Sequence, residues 1–190
     1  MPSKVVMHGK QRIFDGFFKI DEAELSYERF DGAMTPVVKR LCFERGDSVA
    51  AIVKHRNTGD FIFLRQFRYP THEKGPGWIV EVVAGMQEPG EEPEVSLRRE
   101  LLEEIGYEAN LIEPIATFYV SPGGSSERIR LFYVEVSDRG KKGQGGGLLE
   151  ETEDIQTVAY SAAELDAALK RGEFQDAKTL VGIFWLRSRG

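Results

Sequence analysis

Residues 85–107 read GMQEPGEEPEVSLRRELLEEIGY, and the rest of the chain is organised around them. Pro89-Gly90 is turn chemistry, and Pro93 suits the first position of a helix, where its missing N–H is no loss. Good helix formers then run to about Ile105, and Gly106 stands where a left-handed stop is needed. At about 100° per residue, Leu97, Leu101 and Ile105 share one apolar stripe, widened by Leu102 and Val95. Glu100, Glu103 and Glu104 fall together on another arc. Carboxylates three and four apart repel by a few tenths of a kcal/mol per pair. A helix that crowds three of them therefore faces open water or holds a cation, and the adjacent Arg99 can partner only one.

The spacing is G-x5-E-x7-R-E-U-x-E-E-x-G-U, where U is a bulky apolar or aromatic residue. Its fixed positions are Gly85, Glu91, Arg99, Glu100, Leu101, Glu103, Glu104, Gly106 and Tyr107. A solvated acidic helix would account for the charges, but not for the flanking glycines or the turn between them. The pattern resembles the signature of the Nudix hydrolases at every fixed position. That resemblance implies an α/β Nudix fold, a mixed β-sheet sandwiched between helices, and metal-dependent hydrolysis of a pyrophosphate bond.

The chain has 190 residues, 41% of them hydrophobic, enough for one domain with a core plus an extension. No apolar run approaches 18 residues, and the first residues lack the apolar centre of a secretory signal. Cys42 is the single cysteine, so no internal disulfide can form and a reducing, cytoplasmic setting fits. A net charge of −6 argues against general nucleic-acid binding. An anionic small substrate still fits if arginines and metal ions invert the local field.

Along the chain, FFKIDEAELSYERF and PVVKRLCF read as the strands of a hairpin turning at Asp31-Gly32. Too small to stand alone, this hairpin must pack on the main domain or on a partner subunit. Residues 1–45 are accordingly expected to form a β extension and 46–190 the hydrolase domain. DSVAAIVKH, FIFLRQFRY and WIVEVVAG read as strands, the last as one piece with Glu81 pointing away from its neighbours. Two more strands are expected near Leu111–Tyr119 and Arg130–Val136. DRGKKGQGGGLLEETEDI is a polar, glycine-rich loop whose acidic cluster suggests a lid. Ser161-x-x-Glu164 is a capping box, and a last helix follows Asp176 carrying Leu180, Ile183, Phe184 and Leu186. Trp185 reads as packing.

The likeness reaches beyond the motif. Pro122 lies 16 residues after Gly106, within SPGGSSE, which resembles the mark of the ADP-ribose pyrophosphatase branch. GFFKIDEAEL, CFERG, RQFR and GLLEETEDI look like that branch as well. The resemblance implies Glu100 and Glu104 as principal ligands of Mg²⁺, or of Mn²⁺ in its place, with Glu103 beside them and the Ala84 carbonyl from the turn. Arg99 and Glu91 would tie the helix to the loop, with Glu81 behind them. Arg68 and Arg40 would contact phosphate or ribose, Glu127 the terminal sugar, and Phe17 the base, from the partner of a domain-swapped homodimer. Glu151 matches the presumed general base and Glu153 a further metal ligand.

The implied reaction is ADP-ribose plus water giving AMP and ribose 5-phosphate. Another nucleoside diphosphate sugar, GDP-mannose or a UDP-sugar, is the alternative, because no residue plainly reads adenine against guanine or uracil. A nucleotide-sensing module without catalysis fits less well, since the motif is intact and no basic helix-turn-helix segment is present.

Overall fold

The chain is described by a computed structural model that covers every residue except Leu149, Glu151 and Gly190. It forms two compact units, one of Met1–Gly46 with Tyr119–Arg128, the other of Asp47–Phe118 with Ile129 onward.

The first unit is built on an antiparallel sheet of β1 (Val5–Asp15), β2 (Lys19–Tyr27) and β3 (Val38–Glu44), in the order β1-β2-β3. The expected hairpin is thus only two-thirds of this sheet. All eleven positions of β1 are exposed, so no alternation of burial announced it. The β2–β3 connection also differs from a two-residue turn. Strand pairing ends at Leu25↔Val38, and Asp31-Gly32 sits inside a longer loop closed by the Glu28↔Met34 bridge. Residues 119–128 join this unit through backbone bonds, Phe43 N–H to Gly124 O at 2.8 Å and Ser126 N–H to Phe43 O at 3.2 Å. Asp21, buried in β2, is held by Lys10 and Arg12, each at 2.9 Å.

The second unit carries a mixed seven-stranded sheet. Its strands are β4 (Ser48–His55), β5 (Phe61–Phe67), β6 (Trp78–Glu81), β7 (Val83–Met86), β8 (Leu111–Tyr119), β9 (Arg128–Val136) and β10 (Gln156–Tyr160). The order is β10-β5-β4-β9-β8, with β6 on β5 and β7 on β4. β4 and β9 are parallel from Ser48↔Ile129 to His55↔Val136, whereas β4 pairs antiparallel with β5 and with β7.

β4 is apolar and buried on both faces, as a central strand should be. Because side chains alternate, Val49, Ala51 and Val53 join one cluster and Ala50 and Ile52 another. The first cluster receives Leu97, Leu101 and Ile105 from α2 (Pro93–Glu100) and the turn that continues it. The second receives Leu165 and Ala168 from α3 (Ala162–Lys170) and Ile183 from α4 (Ala177–Ser188). Helices therefore cover both faces of the sheet. Among the described residues no helix is long and apolar enough to cross a membrane.

Some local expectations give way. Leu102 and Val95 do not widen the buried stripe and are 40% and 54% exposed, as is Phe184 of α4 at 55%. WIVEVVAG is two strands, because the Val82 N–H leaves the ladder for Thr179 Oγ1 at 3.0 Å and the chain changes partner from β5 to β4 there. A short helix, Tyr69–His72, which we label α1, takes the residue expected to end the strand FIFLRQFRY and runs into the loop that follows. The capping box at Ser161 and the Asp176 cap of α4 form as read.

Candidate active site

α2 starts at Pro93 and is α-helical to Glu100, then widens into a π-helical turn over Leu101–Ile105 that Gly106 ends at φ 73°. Such widened turns occur mostly as single insertions, often at functional sites. The stripe Leu97, Leu101 and Ile105 is fully buried and anchors the helix. The same seating turns Glu100 and Glu104 inward, leaving them 8% and 3% exposed.

β7 meets these carboxylates with its backbone. The Ala84 N–H donates to Glu104 Oε2 at 3.0 Å. Gly85 has no side chain because the Glu100 carboxyl occupies that space; a Cβ there would lie 1.9 Å from Glu100 Cδ. Arg99 ties helix and turn together, and it partners two of the three helix carboxylates rather than the single one expected. Its guanidinium is 2.7 Å from Glu100 Oε1, 3.4 Å from Glu103 Oε2 and 3.6 Å from Glu91 Oε2, and it donates to Met86 O at 3.1 Å. Glu91 is held in turn by the Ser96 hydroxyl.

Burial pushes the Glu100 carboxyl up to about 7, against the pull of Arg99, with the charges of Glu103 and Glu153 adding to the rise. Glu104 is pushed well above the ordinary carboxylate range, by burial first and then by the charge on Glu100. The Ala84 N–H and Arg68 oppose that push. Two buried carboxylates, under-compensated and with the charge of Glu100 raising Glu104, are a donor set suited to a divalent cation. Among the described residues no group of three or more His, Cys, Asp or Glu side chains is arranged to hold a metal ion. The pair nevertheless fits Mg²⁺, which is commonly bound by one or two carboxylates, retained waters and substrate phosphate.

The glycine-rich loop is pinned rather than free over its first part. Gly146 N–H donates to Glu104 O at 2.9 Å and Gly147 N–H to Glu103 O at 3.1 Å, satisfying carbonyls at the helix end. A Cβ on Gly145 would lie 2.5 Å from Glu104 O. Lys141 adds a bond from its ammonium to Ile105 O at 2.9 Å. Beyond the glycines, Glu153 accepts from the Leu148 N–H at 3.0 Å. Glu151 lies outside the described residues.

On the sheet, Glu81 is buried, and its bonds run to other residues than the Arg99 and Glu91 it was expected to back. It accepts from Arg68 Nε at 2.9 Å, Gln66 at 3.2 Å and Lys178 at 3.0 Å. Gln66, Lys178 and Thr179 escaped the reading of the sequence, since nothing local marks a lysine on a distant helix as a partner of Glu81. Phe17, Arg40 and Glu127 belong to the other unit. Phe17 is 88% exposed between β1 and β2, edge-on to Phe18 at 4.8 Å, so it is not core of the sheet. Arg40 is exposed on β3 and donates to Lys39 O at 2.8 Å. Glu127 pairs with Arg45 at 3.6 Å, a partner the sequence did not announce. The structure thus gathers Ala84, Glu91, Arg99, Glu100, Glu103, Glu104 and the loop bearing Glu153 around one helix.

Comparison with known proteins agrees. The family model described as NUDIX domain matches residues 44–181. A GDP-mannose pyrophosphatase of Cronobacter sakazakii is 33% identical over 93% of this chain and 91% of its own length. One of Escherichia coli O139:H28 is 30% identical over 99% and 97%. A solved structure titled "Crystal structure of ADP compounds hydrolase" superposes with a TM-score of 0.74 over 99% of this chain and 97% of that one, at 19% identity, a likeness of fold. With the motif intact, the fold matched and the family model covering most of its length, the chain belongs to the Nudix family of pyrophosphohydrolases.

Proposed function

We propose that the chain hydrolyses the pyrophosphate linkage of a nucleoside diphosphate sugar, with GDP-mannose the first substrate to test. The observation that carries this reading is the buried pair Glu100 and Glu104, packed on the Ala84-Gly85 backbone in a chain of this family. GDP-mannose is favoured by the whole-length relatives that bear its name. Its products would be GMP and mannose 1-phosphate. ADP-ribose, giving AMP and ribose 5-phosphate, is the second reading, favoured by Pro122 within SPGGSSE.

Glu100 and Glu104, with the Ala84 carbonyl, would hold Mg²⁺ or Mn²⁺, with Glu103 beside them and Glu153 arriving from the loop. A divalent cation in that place supplies water activation and neutralises charge on the bridging phosphates. Arg99 keeps the Glu100 carboxylate aimed and fixes the helix to the turn. Glu151 takes the proton from the attacking water. Arg68 and Arg40 bind phosphate or ribose, Glu127 the terminal sugar hydroxyls, and Phe17 presents an exposed ring for stacking on the base. A homodimer with exchanged N-terminal units would deliver Phe17 and Arg40 to the partner's site. The single cysteine is in keeping with a cytoplasmic setting.

The test is a panel of GDP-mannose, ADP-ribose and UDP-sugars with Mg²⁺, reading the nucleotide released. GMP formed fastest supports the first reading and AMP the second, while no cleavage of any member removes both. Glu104→Gln should abolish the metal-dependent rate. Glu151→Gln should lower kcat by about two orders of magnitude or more. Parental turnover in either variant removes that residue from its role.

A further inference from the structure

Lys178 stands in the first turn of α4, far along the chain from the motif, with its side chain only 12% exposed. Its ammonium lies 3.0 Å from Glu81 Oε1 and 3.0 Å from Asp176 Oδ1. Asp176 spends its other oxygen on the Thr179 N–H and hydroxyl, so it is fixed as the helix cap. The second oxygen of Glu81 receives Arg68, through both Nε and Nη2 at 2.9 Å. The result is an alternating row, Asp176, Lys178, Glu81, Arg68, neutral in sum. Glu81 is buried, Lys178 and Asp176 are half-buried with side chains 12% and 16% exposed, and only Arg68, at 40%, opens to solvent.

A buried carboxylate with one cationic partner cannot release it without standing uncompensated, which is strongly unfavourable. Glu81 has two. Arg68 is the exposed one, and it is also the one whose charge is felt at Glu104. We infer that Lys178 is a positioning residue for phosphate binding: by sharing Glu81, it leaves the Arg68 guanidinium able to exchange that carboxylate for a phosphate of the substrate. The inference rests on the proposed contact between Arg68 and phosphate. Guanidinium suits such an exchange, because its planar fork matches carboxylate and phosphate alike. Lys178, enclosed by two carboxylates, stays behind.

The test compares Lys178→Met, Lys178→Arg and the double variant Glu81→Gln/Lys178→Met with the parent. One readout is solvent exchange of the Arg68 Nε–H in metal-free, ¹⁵N-arginine-labelled protein, assigned with Arg68→Lys. The other is KM and kcat for the best nucleotide sugar of the panel. With Lys178 gone, Glu81 should grip Arg68 alone. Exchange of the Nε–H should slow several-fold, and KM should rise about ten-fold, equivalent to about 1.4 kcal/mol, with little change in kcat. Lys178→Arg should restore both. The double variant, which carries no charge at either position and so does not depend on Lys178→Met folding, should return KM to near the parental value. A purely structural ion pair would lower the urea midpoint while leaving Arg68 exchange and KM unmoved, and that result overturns the inference. So does a double variant whose KM is worse than that of Lys178→Met. Parental KM in Arg68→Ala would instead refute the phosphate role of Arg68 itself.

Discussion

Replacing Glu100 by glutamine should stabilise the metal-free protein while destroying its affinity for metal. Buried in the metal-free site, the Glu100 carboxyl titrates at about 7 instead of the ordinary 4.5. The folded chain therefore holds a proton that the unfolded chain has released between those two values. Stability from this group is complete below about 4.5 and is lost as pH rises through about 7. At about 1.4 kcal/mol per pH unit, the loss comes to about 3 kcal/mol by pH 8. The opposing pull of Arg99 is already contained in that net rise. Burial wins, so Glu100→Gln should gain about 3 kcal/mol at pH 8 in a chelator. The gain should vanish near pH 5, where the parent carboxyl is protonated. Urea unfolding from pH 5 to 8.5, with chelator and with excess Mg²⁺, measures it. Glu104 still titrates in the variant, so the slope should shrink without disappearing. Added Mg²⁺ should raise the parent's midpoint at pH 8 and leave the variant's nearly unchanged. A variant less stable than the parent at pH 8, or one with the parental pH slope, would refute the argument that burial dominates this site.

Two further substitutions test the frame around the carboxylates. Gly85→Ala places a Cβ 1.9 Å from Glu100 Cδ, so the carboxyl must move. We expect about 1–3 kcal/mol of destabilisation by urea and a loss in kcat/KM on the order of 100-fold, and near-parental activity would count against the packing described. Thr179→Val removes the acceptor of the Val82 N–H at the point where the strand changes partner. It should cost about 1–3 kcal/mol, read as a lower urea midpoint with parental KM.

The helix at the centre was legible because its signals are local. Proline at the start, glycine at the stop and a stripe at i, i+4, i+8 each act within a turn or two, and all three appear where expected. β4 and β5 were legible for a similar reason, as apolar runs bounded by a glycine turn. β1 was not, because a strand exposed along its whole length has no pattern of burial to display. Nor was the break at Val82, which depends on a hydroxyl 97 residues away.

The site divides in the same way. Which carboxylates cluster was written in the spacing of Glu100, Glu103 and Glu104, since helical periodicity alone sets their arc. That two of them are buried, and raised by burial, was decided by packing against β7, where Gly85 yields its side-chain space to Glu100. The partnership of Glu81 with Lys178 was likewise left to tertiary structure, which alone brings α4 onto the strand that carries Glu81. Short-range order is encoded residue by residue; desolvation and charge compensation arise only when distant segments share one interior.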